Sequence, residues 1–243
     1  MNWHTRYIQQ SAWTRDLRAY LFEKAGLARA RRVLEVGCGT GAILSTLETT
    51  ASLHGLDLDP AALTQCRIHA PAASLTRGNA LHLPHANRTI DITYCHFLLL
   101  WVKNPLQVLF EMKRVTKPNG HILALAEPDY HARTDKPGEL AQLGKWQTES
   151  LQHQGADPGI GARLADLFHQ AGIRLVETGA IQSRDNEALE PGEWENEWVA
   201  LESDLTGIIP RQEIQQMKRL DKQAWERRER VLYVPTYFAW GQV

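Results

Sequence analysis

Seven residues constrain this chain more than any others: Glu35-Val36-Gly37-Cys38-Gly39-Thr40-Gly41. They end the compact run Val33-Leu34-Glu35-Val36, which reads as a strand, and they precede a stretch from Ala42 to Glu48 with helical spacing. The glycines let the chain turn sharply and let a ligand approach the backbone. The helix expected next offers unpaired N–H groups at its start. Asp57 follows Gly37 by 20 residues and ends a second apolar run, Leu53 to Leu58. A carboxylate there is placed to accept hydrogen bonds from ribose hydroxyls. Strand, turn, helix and spaced acid together point to a nucleotide-binding site.

The pattern continues. Ser74 to Thr76, Ile90 to Tyr94 and His121 to Ala126 read as further strands, the last after a Pro118-Asn119-Gly120 turn. Asp59-Pro60 and Asn104-Pro105 each read as a helix cap followed by proline at the first helical position. Leu106, Leu109, Phe110 and Lys113 then keep a helical period. Such alternation predicts an α/β fold, a mainly parallel sheet with helices on both faces. The 243 residues suit a single domain. Within it, 1–30 is a helical lid, 31–126 the core, 127–230 substrate-side helices with one strand near 173–180, and 231–243 the last strand. Helices are expected near 138–153 and 161–171 and between 191 and 230, and a loop just after residue 127.

Charge narrows the function. The 27 Lys and Arg against 28 Asp and Glu leave a formal charge of −1, without the basic excess that general nucleic-acid or membrane-surface binding needs. The longest apolar run, Phe97 to Val102, is too short to span a bilayer, and the first residues lack the apolar segment of a signal peptide. Cys38, Cys66 and Cys95 follow neither zinc spacing nor a disulfide framework, so a reduced, cytoplasmic setting is expected. His82 with His85, and Asp129 with His131, lack a matching third ligand, and no metal is predicted.

Ala42 completes a G-x-G-x-x-[GA] pattern, so a NAD-dependent oxidoreductase is an alternative. No Tyr-x-x-x-Lys or Cys/His pair accompanies it. Gly78-Asn79-Ala80 after the third strand supplies an adenine-side signal instead, with Asn79 as an acceptor and Ala80 giving the ring close access.

Residues 33–126 resemble the class I S-adenosylmethionine (SAM)-dependent methyltransferases, in the small-molecule branch related to quinone-biosynthesis and sterol enzymes. VLEVGCGTG matches the first motif, GLDLDP the acidic second and GNALHLP the third, with Asn79 where the family normally has Asp. The stretch from Ile92 to Asp129 matches the fourth and fifth regions, and VLYVPTYFAWG looks like the last strand. The resemblance implies a Rossmann-like, seven-stranded, mainly parallel sheet with an antiparallel last strand. It implies Glu35 near the methionine ammonium and the Gly37-Cys38-Gly39 backbone against the methionyl part. It implies Asp57 on the ribose, Leu58 on adenine, and Asn79 and Ala80 at the adenine edge. His96 would line the gap between methyl donor and a small-molecule acceptor, and S-adenosylhomocysteine (SAH) would be the product. A non-catalytic SAM-binding module is a second alternative.

Transfer from a sulfonium needs chiefly alignment and water exclusion. A base is needed only where the nucleophile holds a proton. Candidates are His96 and the cluster Glu127, Asp129, Tyr130 and His131 after the fifth strand. The competing readings are a half-buried His96 packed under the lid, and a solvated loop with Asp129 capping a turn. In the N-terminal stretch, Tyr7, Gln10 and Thr14 can reach the methionyl carboxylate and Trp13 can close the chamber; plain helix packing is the other reading. Eight Trp stand against five Phe and six Tyr. Trp146, Trp194, Trp198 and Trp225 either line a substrate pocket or pack a core or homodimer interface. Trp101 reads as core.

Overall fold

Val33, Leu34 and Val36 are fully buried because their strand has neighbours on both sides and covering layers on both faces. In the computed structural model, which describes residues 3–181 and 192–243, β1 (Arg32–Val36) pairs in parallel with β2 (Ser52–Asp57) and β4 (Ile90–Cys95). Residues 1–2 and 182–191, in the expected lid and substrate-side segments, lie outside the described residues. β3 (Ser74–Arg77) extends the sheet beyond β2, and β5 (Thr116–Pro128) extends it beyond β4, both in parallel. β9 (Thr236–Gln242) runs antiparallel between β5 and β7 (Arg174–Ile181). The order is β3-β2-β1-β4-β5-β9-β7, the expected seven-stranded, mainly parallel sheet with its antiparallel last strand.

Each face is covered by helices whose apolar stripe the sequence spells out. On one face, Leu21 and Phe22 of α2 (Arg15–Lys24) pack against Val33, Ile92, Tyr94 and Leu123. On the other, Val108, Leu109 and Met112 of α4 (Pro105–Val115) join Phe168 of α6 (Leu164–Gln170) over Leu34, Ile122 and Ala124. Both caps form: Asp59 accepts from Ala61 N at the start of α3 (Pro60–His69), and Asn104 accepts from Gln107 N at the start of α4.

Two expectations are corrected. The helix expected from Ala42 to Glu48 is only a 3₁₀ turn, Leu44–Thr46. Ser45 and Thr46 donate their hydroxyls to Ala42 O and Ile43 O, and Thr49 accepts from Ala51 N; such local bonds compete with helical ones. The glycine turn therefore has no long helix behind it. The last strand is also broken. β8 (Val231–Tyr233) pairs with β6 (Thr134–Lys136), in the expected loop, as a separate two-stranded sheet. Pro235, which has no N–H to give a ladder, separates β8 from β9.

The helical additions have their own core. Leu143 of α5 (Ala141–His153), Trp194, Trp198 and Leu201 of α7 (Glu193–Leu205), and Ile214 and Met217 of α8 (Arg211–Glu226) form it. α1 (Trp3–Trp13) precedes α2. Trp194 and Trp198 both donate their indole N–H to Asp221 Oδ2 at 2.7 Å. Arg230 also pairs with Asp221 and lies 3.0 Å from Asp135, which Arg133 grips with two bonds. These buried charges are all matched, as burial requires. Trp146 and Trp225 pack against the same cluster. The tryptophan surplus in these helices is therefore packing.

Candidate functional site

A cavity of about 520 Å³ opens at the carboxyl ends of β1, β2 and β4, under α1 and beside α5 and α7. Its floor is the glycine turn. Gly37 has φ 77°, and a Cβ there would lie 2.8 Å from Leu98 Cδ1. Gly41 has φ 80°, with the same imagined Cβ 2.7 Å from Cys66 Sγ. Only glycine fits either position without displacement.

Asp57 both builds and lines this floor. Its Oδ2 accepts from Gly39 N at 2.7 Å and its Oδ1 from Asp59 N at 2.9 Å. Each oxygen keeps a second lone pair for a ligand. Glu35, at the end of β1, also lines the cavity although it is only 3% exposed. Burial holds its carboxyl well above the usual carboxylate range, and the hydrogen bond from Tyr94 Oη at 2.9 Å offsets this only in part. Cys38, Tyr7 and Gln10 complete this half. Burial, then the charges of Asp57 and Asp59, push the Tyr7 phenol up.

His96 stands between the two halves, half-buried, just past β4. Its Nε2 lies 3.1 Å from Thr14 Oγ1. Burial, then the nearby Arg18 guanidinium, push its imidazole down to about 3, so it is neutral at physiological pH. Beyond it, Phe97, Leu98, Leu100 and Trp101 form an apolar wall, facing Tyr130, the α5 side chain Gln147 and, just past α5, Gln154.

Several expected site residues lie elsewhere. Glu127 is fully buried, not in a solvated loop, and does not line the cavity; it accepts from the backbone N–H groups of Leu98, Leu99 and Leu100. Asp129 is also buried and caps a 3₁₀ turn through His131 N. Of the post-β5 cluster, only Tyr130 reaches the cavity. Thr14 is buried behind His96 rather than aimed into the cavity, and Trp13, 47% exposed, does not close the chamber. On the adenine side, Leu58 is exposed, Asn79 Oδ1 accepts from Leu81 N to close a turn, and Ala80 is in the core. None of these three borders the cavity. Trp101, expected in the core, is 46% exposed and lines the cavity.

The sequence reading missed Phe97, Leu98, Gln147, Gln154 and Asp204. One signal was available: Gln147, Leu151 and Gln154 share a face of α5 and its C-cap at i, i+4 and i+7. Among the described residues no cluster of three His, Cys, Asp or Glu gathers as a metal site, and no helix is long and apolar enough to cross a membrane.

Residues 34–124 match the family model described as a methyltransferase domain. The chain is 35% identical over 126 residues to the demethylmenaquinone methyltransferase of Shouchella clausii, spanning 48% of this chain and 52% of that one. A structure from Bacillus halodurans, described as a candidate methyltransferase, shares the fold at TM-score 0.64 and 14% identity, covering 92% of this chain and 97% of its own. The (4+2)-cyclase SpnF shares it at TM-score 0.60 and 16% identity, covering 93% and 80%. The chain spans only 52% to 58% of the length of the first curated relatives it matches.

Proposed function

We propose that this protein moves the methyl group of SAM to a small-molecule acceptor, on the similarity of residues 34–124 to the methyltransferase-domain model and of the chain to a quinone methyltransferase. One observation carries the reading. Glu35 and Asp57 end adjacent parallel strands, border one cavity, and flank a glycine turn too tight for any Cβ at Gly37. A cationic amine beside Glu35 and a ribose at Asp57 fit that arrangement, with the methionyl chain over the glycine backbone.

When bound, SAM supplies an activated methyl on a sulfonium. The chain supplies position and dryness. Burial raises the Glu35 carboxyl, and an ammonium beside it would favour its ionised form. Asp57 takes the ribose hydroxyls on its spare lone pairs. Tyr7 and Gln10 cover this half from α1. Phe97, Trp101 and Tyr130 hold the acceptor's apolar body on the far side of His96, and the space there is open. An open acceptor half argues against a module that only retains SAM. A cavity of about 520 Å³ lies within the range of small-molecule sites. Which acceptor atom is methylated depends on that half.

Isothermal calorimetry with SAM, SAH and NAD tests the reading. SAM and SAH should bind and NAD should not. Preferential NAD binding would return the protein to the oxidoreductases. SAM binding without methyl transfer to any acceptor in a broad phenol, amine and thiol panel would favour the non-catalytic alternative.

A further inference from the structure

The Thr14 hydroxyl stands where three groups meet. It lies 3.1 Å from the Ser11 carbonyl oxygen and 3.1 Å from His96 Nε2, and Arg18 Nη1 donates to it. A hydroxyl has one proton and two lone pairs. The guanidinium only donates and the carbonyl only accepts. All three contacts are satisfied in one arrangement alone: Thr14 donates to Ser11 O, accepts from Arg18, and accepts from an Nε2–H of His96. If Thr14 donates to Nε2 instead, its own bond to Ser11 is lost, although Ser11 O still accepts from Arg18 Nη1. Thr14 is 1% exposed and Arg18 6%, so the choice lies between arrangements of these groups and not with water.

This arrangement leaves Nδ1 of His96 with a lone pair. Nδ1 has no hydrogen-bond partner among the described residues, yet it is not sealed off; His85 Nδ1 is the described side-chain atom that is both buried and unpartnered. Nδ1 is therefore the ring nitrogen left for a ligand in the cavity that His96 lines.

We propose that Thr14 and Arg18 are positioning residues that hold His96 as its Nε2–H tautomer, and that Nδ1 takes the proton of a hydroxyl-bearing methyl acceptor. The assignment rests on the SAM reading above. The acceptor oxygen's lone pair forms the new C–O bond while the C–S bond breaks and its pair stays on sulfur. The oxygen, now a protonated ether, passes its proton to Nδ1, and the imidazolium releases it to water. Burial and Arg18 make His96 a weak base. A protonated ether is nevertheless a far stronger acid than an imidazolium, so the transfer is downhill once the C–O bond exists. The wall of Phe97, Trp101 and Tyr130 suits a flat apolar body on that hydroxyl. Gln147 adds an oriented donor: Arg133 holds its Oε1, which leaves the amide NH₂ for an acceptor oxygen.

The test uses the full chain, saturated with SAH and labelled with ¹⁵N at histidine. Calorimetry comes first: if SAH does not bind, the cofactor reading itself falls, before any His96 signal is read. With SAH bound, long-range ¹H–¹⁵N spectra should show His96 protonated at Nε2 and bare at Nδ1. Thr14→Val should lose the hydrogen-bonded Nε2–H resonance and mix the tautomers; Thr14→Ser should keep the wild-type pattern, with SAH affinity within about threefold in both. Phenol, titrated as the probe acceptor, should move the bare Nδ1 resonance upfield, and toluene should not. A proton on Nδ1 in the wild type, or equal responses to phenol and toluene, would overturn the assignment.

Discussion

Replacing Glu127 with Gln should change how stability depends on pH. The carboxylate is sealed beneath the loop that follows β4, where its Oε1 accepts from Leu98 N and Leu99 N at 3.0 Å and its Oε2 from Leu100 N at 3.2 Å. Burial pushes its pKa up to about 7, against the lowering effect of those three bonds. Relative to the ordinary 4.5, that rise corresponds to roughly 3 kcal/mol against the ionised form. The sign follows from proton counts. Between about pH 4.5 and 7 the unfolded chain has lost this proton and the folded chain keeps it, so folding stability falls as pH rises through that window and is level above it. Gln cannot titrate. It keeps one acceptor oxygen but turns an NH₂ toward amide donors, leaving at least one buried N–H unmatched, at about 1–3 kcal/mol. Urea unfolding of both proteins across that window reads the difference directly. Wild type should be the more stable at low pH, and its advantage should shrink by up to roughly 3 kcal/mol as pH rises to about 8. Parallel curves, or an advantage that grows with pH, would refute the assignment of this carboxyl as a buried acid clamping the cavity wall.

Asp57→Ala should weaken SAH binding by at least about tenfold, or roughly 1.4 kcal/mol, and unchanged affinity in calorimetry would remove Asp57 from the ribose. Burial raises the Glu35 carboxyl well above the usual range, so SAH binding, by favouring its ionised form, should release protons and tighten as pH rises. Calorimetry in buffers of unequal ionisation heat measures this, and Glu35→Gln should abolish it. Gly37→Ala combines a positive φ with a clash against Leu98 and should cost about 1–3 kcal/mol in urea melts. Asp221→Asn should destabilise the helical additions by about 3–5 kcal/mol, because it leaves Arg230 short of a counter-charge, and the emission of Trp194 and Trp198 reports it.

The cavity floor was legible because it is local. Glu35, Gly37, Gly39 and Asp57 sit at strand ends that a few consecutive residues announce, and the φ values at Gly37 and Gly41 are a property of the turn itself. The caps at Asp59 and Asn104 were readable for the same reason. Glu127 and Asp129 were not. Carboxylates one and three residues past an expected strand look solvated in sequence, and only the return of the chain at Leu98 to Leu100 and at Pro235 buries them. Trp194 and Trp198 show the same limit. Their spacing puts them on one helix face, but whether that face meets a ligand or Asp221 is decided 23 residues further along the chain from Trp198.

Thr14 shows why the acceptor half resists such reading. The break between α1 and α2 falls at this residue, so Thr14 precedes the first turn of α2 and shares a face with Arg18, four residues on. Sequence alone makes Thr14 a polar group within reach of a cofactor carboxylate. The packing of α2 over Tyr94 turns the pair toward the end of β4 instead, where His96 waits 82 residues downstream. A threonine at a helix break is unremarkable in isolation. With a buried cation on one side, an imidazole on the other and a single proton of its own, it is the residue on which the proposed protonation of His96 turns.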